Sequence, residues 1–268
     1  MAKSTAFAAQ WNEKMKFNIN TEYNNISPYA IMFLLSFLIS FAIAVIMMIR
    51  KGVDKKKALF SAMFIFICSL YFAYLFSVLT SGDILKYLKS ISFSSIGGLI
   101  GVAVGVLVLS FLFKEYRSPL IKAYALVIPL MYSISKMGCF LVGCCYGIEY
   151  DGPFSVTYSG RLAHRPDVEL FPVQLTEVLV FFVIFLFGLI LEYKIRSKYS
   201  VSILVIICAL AKGSLDFLRS SHVDQIISVN QAACLVIIIL TVIVQIYINK
   251  RSFANAQDDI NNKKVEDR

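Results

Sequence analysis

Charge is scarce in this sequence, and long stretches have none. Only 16% of the 268 residues are Asp, Glu, Lys or Arg, where a soluble domain carries about 25%. Residues 28–49, "PYAIMFLLSFLISFAIAVIMMI", and 231–248, "QAACLVIIILTVIVQIYI", contain no charged residue. Each is long enough to cross roughly 30 Å of hydrocarbon, which excludes a soluble globular protein. Apolar–polar alternation is also missing, and that excludes a transmembrane β-barrel. No cleavable signal peptide is expected, because the first 27 residues are largely polar and the first apolar run is already of full span length.

What is present is a series of seven apolar stretches, at about 28–49, 58–80, 96–113, 123–142, 170–192, 200–218 and 231–248. Only helices or closed barrels satisfy every backbone polar group in lipid. The sequence therefore predicts an all-α integral membrane protein with about seven transmembrane helices. Basic residues orient it. With the N-terminus outside, the inner segments hold 16 of the 26 Lys and Arg, the outer segments hold eight, and Lys136 and Lys212 fall within spans. This bias predicts an outer N-terminus and a cytoplasmic C-terminus. The expected organisation is an outer N-terminal segment at 1–27, a seven-helix membrane domain at 28–249, and a polar, unstructured cytoplasmic tail at 250–268. The net charge of +9 then belongs to topology and to anionic lipid, so membrane lipids are expected partners and nucleic acid is not.

In this topology the polar residues gather at the outer ends of the helices. Gly97 and Gly98 open the third span, and Lys136 lies in the outer half of the fourth, followed by Cys139, Cys144 and Cys145. Gln174 and Glu177 begin the fifth, Lys212, Asp216 and Arg219 end the sixth, and Asn230 and Gln231 begin the seventh. An ionisable residue at the bilayer centre costs about 2.5–3.5 kcal/mol on insertion scales, which makes such residues functional candidates. Three cations against two carboxylates at head-group depth fit a phosphate-bearing amphiphile. The alternative is a Lys212–Asp216–Arg219 ladder, spaced i,i+4 and i,i+3, that only neutralises itself. Gly101 and Gly105 read as a close helix-packing face, whereas Gly97 and Gly98 leave room for a head group to approach the backbone.

Histidine is nearly absent: His164 and His222 are the only two, both in outer loops. The six cysteines lack the paired CxxC units common in four-ligand zinc and iron–sulfur sites, so neither a metal nor a cofactor is expected. Cys68, Cys208 and Cys234 lie in apolar spans and read as packing residues. Cys139, Cys144 and Cys145 leave three readings open: small residues at a tight helix end, a disulfide on an oxidising face, or a reactive thiolate at Cys139 favoured by Lys136.

Five segments, taken in order, resemble the prolipoprotein diacylglyceryl transferase family. They are "FSSIGGLIG" at 93–101, "SKMGCFLVGCCYG" at 135–147, "FPVQLTE" at 171–177, "KGSLDFLRS" at 212–220 and "ISVNQ" at 227–231. The resemblance implies a multi-pass protein of the bacterial plasma membrane. It also implies transfer of the diacylglyceryl group of phosphatidylglycerol to the lipobox cysteine thiol of a prolipoprotein signal peptide, with release of glycerol phosphate. On the matching positions, Lys136, Cys139, Glu177 and Arg219 are the candidate catalytic residues. Gly97, Gly98, Gly138, Gln174, Lys212, Asp216 and Gln231 are the candidate substrate-binding residues. Gly138, Phe140, Gly147, Gln174 and Glu177 keep the family's identities. Elsewhere the chain departs from them: Ile96 and Phe171 stand where the family has histidines, Cys139 replaces an asparagine, Cys144 or Cys145 an acidic residue, and Lys136 and Lys212 replace arginines. His164 is then an alternative base. Two further readings remain, a phospholipid-using transferase with a different acceptor and a lipid-binding membrane protein without catalysis.

Overall fold

A computed structural model describes residues 16–21, 27–80, 94–160, 165–195, 197, 199–222 and 226–266. An α-helix forms at each apolar stretch: α1 (Pro28–Arg50), α2 (Lys55–Thr80), α3 (Ser95–Leu112), α4 (Arg117–Val142), α5 (Val173–Leu189), α6 (Ser200–Asp216) and α7 (Val229–Glu266). Among the described residues, five helical segments are long and apolar enough to cross a membrane, namely Pro28–Arg50, Lys55–Leu79, Lys114–Val142, Val173–Ile195 and Val229–Arg251. Gly97–Leu112 is a shorter apolar helix. Large aliphatic side chains along α7, including Leu240, Ile243 and Val244, are exposed on the protein surface, as expected of a helix whose outer face is covered by lipid.

The chain divides into two compact units, one built from residues 30–135 and the other from residues 1–29 and 136–268. In the first unit, Phe37 and Phe41 of α1 meet Phe66 of α2 edge-on, at centroid distances of 5.1 and 6.3 Å. Phe41 also packs on Tyr124 of α4 at 5.8 Å, and the Tyr124 hydroxyl hydrogen-bonds Ser61 Oγ at 3.1 Å. Helix α2 starts at Asp54, whose carboxylate accepts from the amides of Lys56 and Lys57 at 3.0 and 3.3 Å, a side-chain cap on otherwise unsatisfied donors. Helices α2 and α3 approach so closely that a Cβ on Gly101 would lie 2.4 Å from the Cys68 carbonyl oxygen, and one on Gly97 would lie 2.4 Å from that of Phe72. Ser69 Oγ donates to the Gly98 carbonyl at 3.1 Å across the same seam.

The other unit contains α5, α6, α7 and the last turns of α4, and it departs from the all-helical expectation in one respect. Residues Phe17–Asn20 form a strand, β1, that pairs in parallel with β2 (Val156–Ser159). The small sheet is anchored by side chains: Phe140, Val156, Tyr158 and Leu170 form a buried cluster packed by Ile19, Met137, Tyr146, Val168 and Leu175. Phe17 meets Phe140 edge-on at 6.2 Å, and Lys16 pairs with Glu169 at 2.6 Å. The alternating "FNIN" at 17–20 carries the strand pattern, but a four-residue signal is easily lost beside spans of twenty. A second difference lies at the C-terminus, where α7 continues as helix through Glu266 across the polar stretch expected to be unstructured. That stretch contains no Gly or Pro to stop a helix already nucleated by an apolar span.

The α2–α3 seam generates a test. Gly101→Val places branched atoms against the α2 backbone, and overpacking of this kind costs about 1–3 kcal/mol. The purified variant is expected to unfold several degrees below the wild type in detergent, whereas Leu107→Ala, exposed on the same helix, has little effect.

Candidate active site

The site begins at a backbone junction. After α4, the chain turns through Gly143 (φ 70°) and Cys145 (φ 55°) and runs alongside the ends of two other helices. Ile148 N donates to the Leu218 carbonyl at 3.1 Å, Ser220 N to that of Tyr146 at 3.3 Å, and Phe171 N to that of Ile148 at 2.9 Å. Gly147 sits in the middle, where an added Cβ would lie 2.3 Å from the Phe171 carbonyl oxygen and 3.1 Å from that of Leu218. Only glycine fits there. This junction fixes the end of α4 against the start of α5 and the end of α6.

The ionisable residues of those three elements converge on Glu177, which is fully buried in the second turn of α5. Arg219 Nη2 donates to both Glu177 carboxylate oxygens at 2.9 Å. Lys212 Nζ donates to Oε1 at 3.0 Å, and Lys136 Nζ lies 3.4 Å from Oε2. Asp216 forms a second centre: Lys212 Nζ and Arg219 Nε lie 3.5 and 3.7 Å from its Oδ1, and Asn230 Nδ2 donates to the same oxygen at 3.1 Å. Ser228 Oγ donates to Asp216 Oδ2. Three cations therefore share two buried carboxylates, leaving one formal positive charge. Burying ions is costly unless each is paired with good geometry, and here the carboxylates hold the three cations together. The ladder expected along α6 exists, with Arg219 just beyond the helix end, but it is part of a larger cluster that includes Glu177 and Lys136.

Other candidate residues occupy supporting positions. Gln174 is fully buried; its Nε2 donates to the Cys144 carbonyl at 2.9 Å, which fixes the amide's orientation, and its Oε1 has no hydrogen-bond partner among the described residues. Gln231 closes a capping box on α7: the Gln231 amide donates to Ser228 Oγ, while the Ser228 amide donates to Gln231 Oε1, each at 3.1 Å. Gln231 Nε2 also reaches the Gly213 carbonyl at 3.4 Å. The S-x-x-Q spacing announces this cap in the sequence, and it is the signal by which Ser228, unassigned from sequence, could have been found. Gly138 and Cys139 are buried in the same stretch of α4 as Lys136. Gly97 and Gly98 belong to the other unit and pack against α2 there. His164 and the side chain of Ile96 lie outside the described residues. His222 is buried, its ring edge-on to Phe217 at 4.8 Å.

Removing the common counter-ion should therefore be severe. Glu177→Gln leaves three cations around a neutral amide, and breaking a buried pair in this way costs about 3–5 kcal/mol. A sharply lowered unfolding midpoint in detergent is expected. Adding Lys136→Met to Glu177→Gln should restore part of the loss, whereas additive effects of the two changes would contradict the shared pairing.

Comparison with known proteins adds to this geometry. The model of the prolipoprotein diacylglyceryl transferase family matches residues 16–247. A phosphatidylglycerol–prolipoprotein diacylglyceryl transferase of Dehalococcoides mccartyi is 28% identical over 158 residues, which make up 58% of this chain and 60% of that protein. One of Clostridium tetani is 29% identical over 147 residues, covering 53% of this chain and 57% of that protein. Phosphatidylglycerol–prolipoprotein diacylglyceryl transferase 2 of Clostridium perfringens is 27% identical over 128 residues, 46% of this chain and 49% of that protein. The matched stretch thus spans less than two thirds of the relatives it resembles. With a family match over most of its length and apolar helices of membrane-crossing size, this chain is a multi-pass membrane protein that belongs to the prolipoprotein diacylglyceryl transferase family.

Proposed function

We propose that the chain transfers the diacylglyceryl group of phosphatidylglycerol to a cysteine thiol, with the lipobox cysteine of a prolipoprotein as acceptor. The observation that carries this reading is the cationic cluster. Lys136, Lys212 and Arg219 are held around buried Glu177 with one more positive than negative charge, which a monoanionic phosphodiester would balance. The names of the relatives, which specify phosphatidylglycerol and prolipoprotein, support the same substrates.

The proposed chemistry follows from the charges. The acceptor sulfur attacks the glyceryl carbon that carries the phosphate ester, and the C–O bond breaks towards phosphate. Negative charge grows on the departing glycerol phosphate. Lys136, Lys212 and Arg219 are preorganised donors for that charge, the kind of stabilisation that commonly supplies the largest share of catalysis. Arg219 offers a fork and the lysines point charges. Glu177 and Asp216 hold the three in place and spare the enzyme the work of gathering like charges as the reaction proceeds. Gln174 Oε1, buried and without a protein donor among the described residues, is a ready acceptor for a glycerol hydroxyl of the lipid head group. The excess of Lys and Arg in the segments assigned to the inner side supports seven crossings, an outer N-terminus and a cytoplasmic C-terminus in the bacterial plasma membrane. The cluster would then face outer-leaflet phosphatidylglycerol.

The departures from the family pattern at Ile96 and Cys139 favour one second reading, the same lipid chemistry with a different thiol acceptor. Purified protein supplied with glycerol-labelled and acyl-labelled phosphatidylglycerol and a lipobox peptide tests both. The expected outcome is acyl-labelled thioether peptide together with released glycerol phosphate. Transfer only to another thiol would support the second reading, and binding without turnover would contradict both. Replacing a donor by Lys212→Met is expected to lower turnover by about 10²–10³-fold, while Lys16→Met, in the remote surface pair with Glu169, leaves it unchanged.

A further inference from the structure

Nothing in the lipid chemistry above uses Cys139, Cys144 and Cys145. Their three sulfurs all lie within 4.8 Å of one another, and all three thiols are free. The arrangement is built rather than incidental. The Cys144 amide donates to the Cys139 carbonyl at 3.2 Å, and Gln174 holds the Cys144 carbonyl from the other side at 2.9 Å. Cys145 takes a left-handed backbone (φ 55°), which a non-glycine residue keeps only where its surroundings enforce it. Cys139 is buried, Cys144 half-buried and Cys145 exposed, so the group opens to one side. Small packing residues would require neither the left-handed turn nor the convergence of sulfurs.

A covalent role as nucleophile fails on chemical grounds. A cysteine that attacked the glyceryl carbon would become a thioether, and a thioether does not pass its alkyl group to a second thiol. The alkylated enzyme would be a dead end.

Building on the transfer reaction proposed above, we propose that Cys139, Cys144 and Cys145 form a tris-thiolate zinc site whose open fourth position takes the acceptor thiol. Zinc–sulfur bonds of about 2.3 Å place the sulfurs of a tetrahedral site about 3.8 Å apart, which side-chain rotations of about an ångström reach from the observed spacing. Three protein ligands and one open position are the arrangement of a catalytic zinc, not a structural one. Metal binding requires deprotonated thiols. The absence of paired CxxC units hides such a site in the sequence. The site also supplies a missing function, since a thiol that coordinates zinc is deprotonated outright and Ile96 offers no base.

The step balances. The acceptor thiol binds zinc and loses its proton to water. Its sulfur lone pair forms the S–C bond to the glyceryl carbon while the C–O electron pair leaves with glycerol phosphate, now a dianion. The neutral thioether is a poor zinc ligand and departs, which frees the fourth position.

The test uses the full chain purified in detergent under reducing conditions. Elemental analysis is expected to find about one zinc per chain. Exchange with Co²⁺ is expected to give sulfur-to-cobalt charge-transfer and tetrahedral ligand-field bands, which shift when a lipobox peptide with a free cysteine is added and do not shift with its serine analogue. Cys139→Ser, Cys144→Ser and Cys145→Ser should each weaken cobalt binding at least tenfold, and Cys68→Ser should not. Wild-type spectra need no variant to fold. The proposal is overturned by wild-type protein without charge-transfer bands, by a native mass two units light from a disulfide within the trio, by a cobalt spectrum indifferent to the thiol peptide, or by full transferase activity in metal-stripped protein. The last result would leave the proposed function standing. A thiol-responsive metal site in a chain that moves no diacylglyceryl group would support the zinc site and refute the transferase reading.

Discussion

One buried carboxylate organises this end of the molecule. Glu177 has no exposed surface, yet it receives two ammonium groups and a guanidinium, from α4, from α6 and from the residues just past the end of α6. Each of those cations would be costly alone in an apolar setting, and each would repel the others. The carboxylate converts three separate liabilities into a preassembled set of donors, and Asp216 extends the set to Ser228 and Asn230 at the start of α7. The backbone junction at Gly147 is the mechanical counterpart. It brings together the chain ends that carry Lys136, Glu177 and Arg219, and it leaves no room for even a methyl group.

The same physics separates two kinds of charge in this protein. Lysines and arginines such as Arg50, Lys51, Lys55 and Lys114 lie at the ends of the helices or in the turns that join them. Lys136, Lys212 and Arg219 lie within or at the end of apolar helices and are retained there by specific partners. A structural role and a catalytic role are compatible in such a cluster. In the proposed reaction, donors held by fixed counter-ions need little reorganisation when a phosphate arrives, and the excess of cations over carboxylates suits an anion.

How much of this could be read from the sequence depended on the strength of each local signal. Apart from the longer α7, the helices coincide with the apolar stretches to within a turn or two at each end, because runs of about twenty uncharged residues have one stable solution in lipid. The gathering of Lys136, Glu177, Lys212, Asp216 and Arg219 followed from helix direction and depth alone. Strand β1 was missed because Phe17 and Ile19 are too few to signal a pairing partner some 140 residues away. The continuation of α7 past Arg251 was missed because polar composition says nothing about a helix nucleated by the span before it. Gln231 matched a family position, but its hydrogen bonds belong to a capping box whose spacing was in plain view. The convergence of Cys139, Cys144 and Cys145 depends on left-handed turns at Gly143 and Cys145, which a one-dimensional pattern of thiols does not encode.

In the proposed reaction Lys136, Lys212 and Arg219, held by Glu177, form the phosphate site for phosphatidylglycerol. Cryo-electron microscopy of the protein in nanodiscs containing this lipid tests it most directly. Phosphate density is expected within about 3 Å of these side-chain nitrogens, with the glyceryl carbon towards the cysteine trio. A well-resolved lipid phosphate bound elsewhere, with the Glu177 cluster closed to the head group, would contradict it.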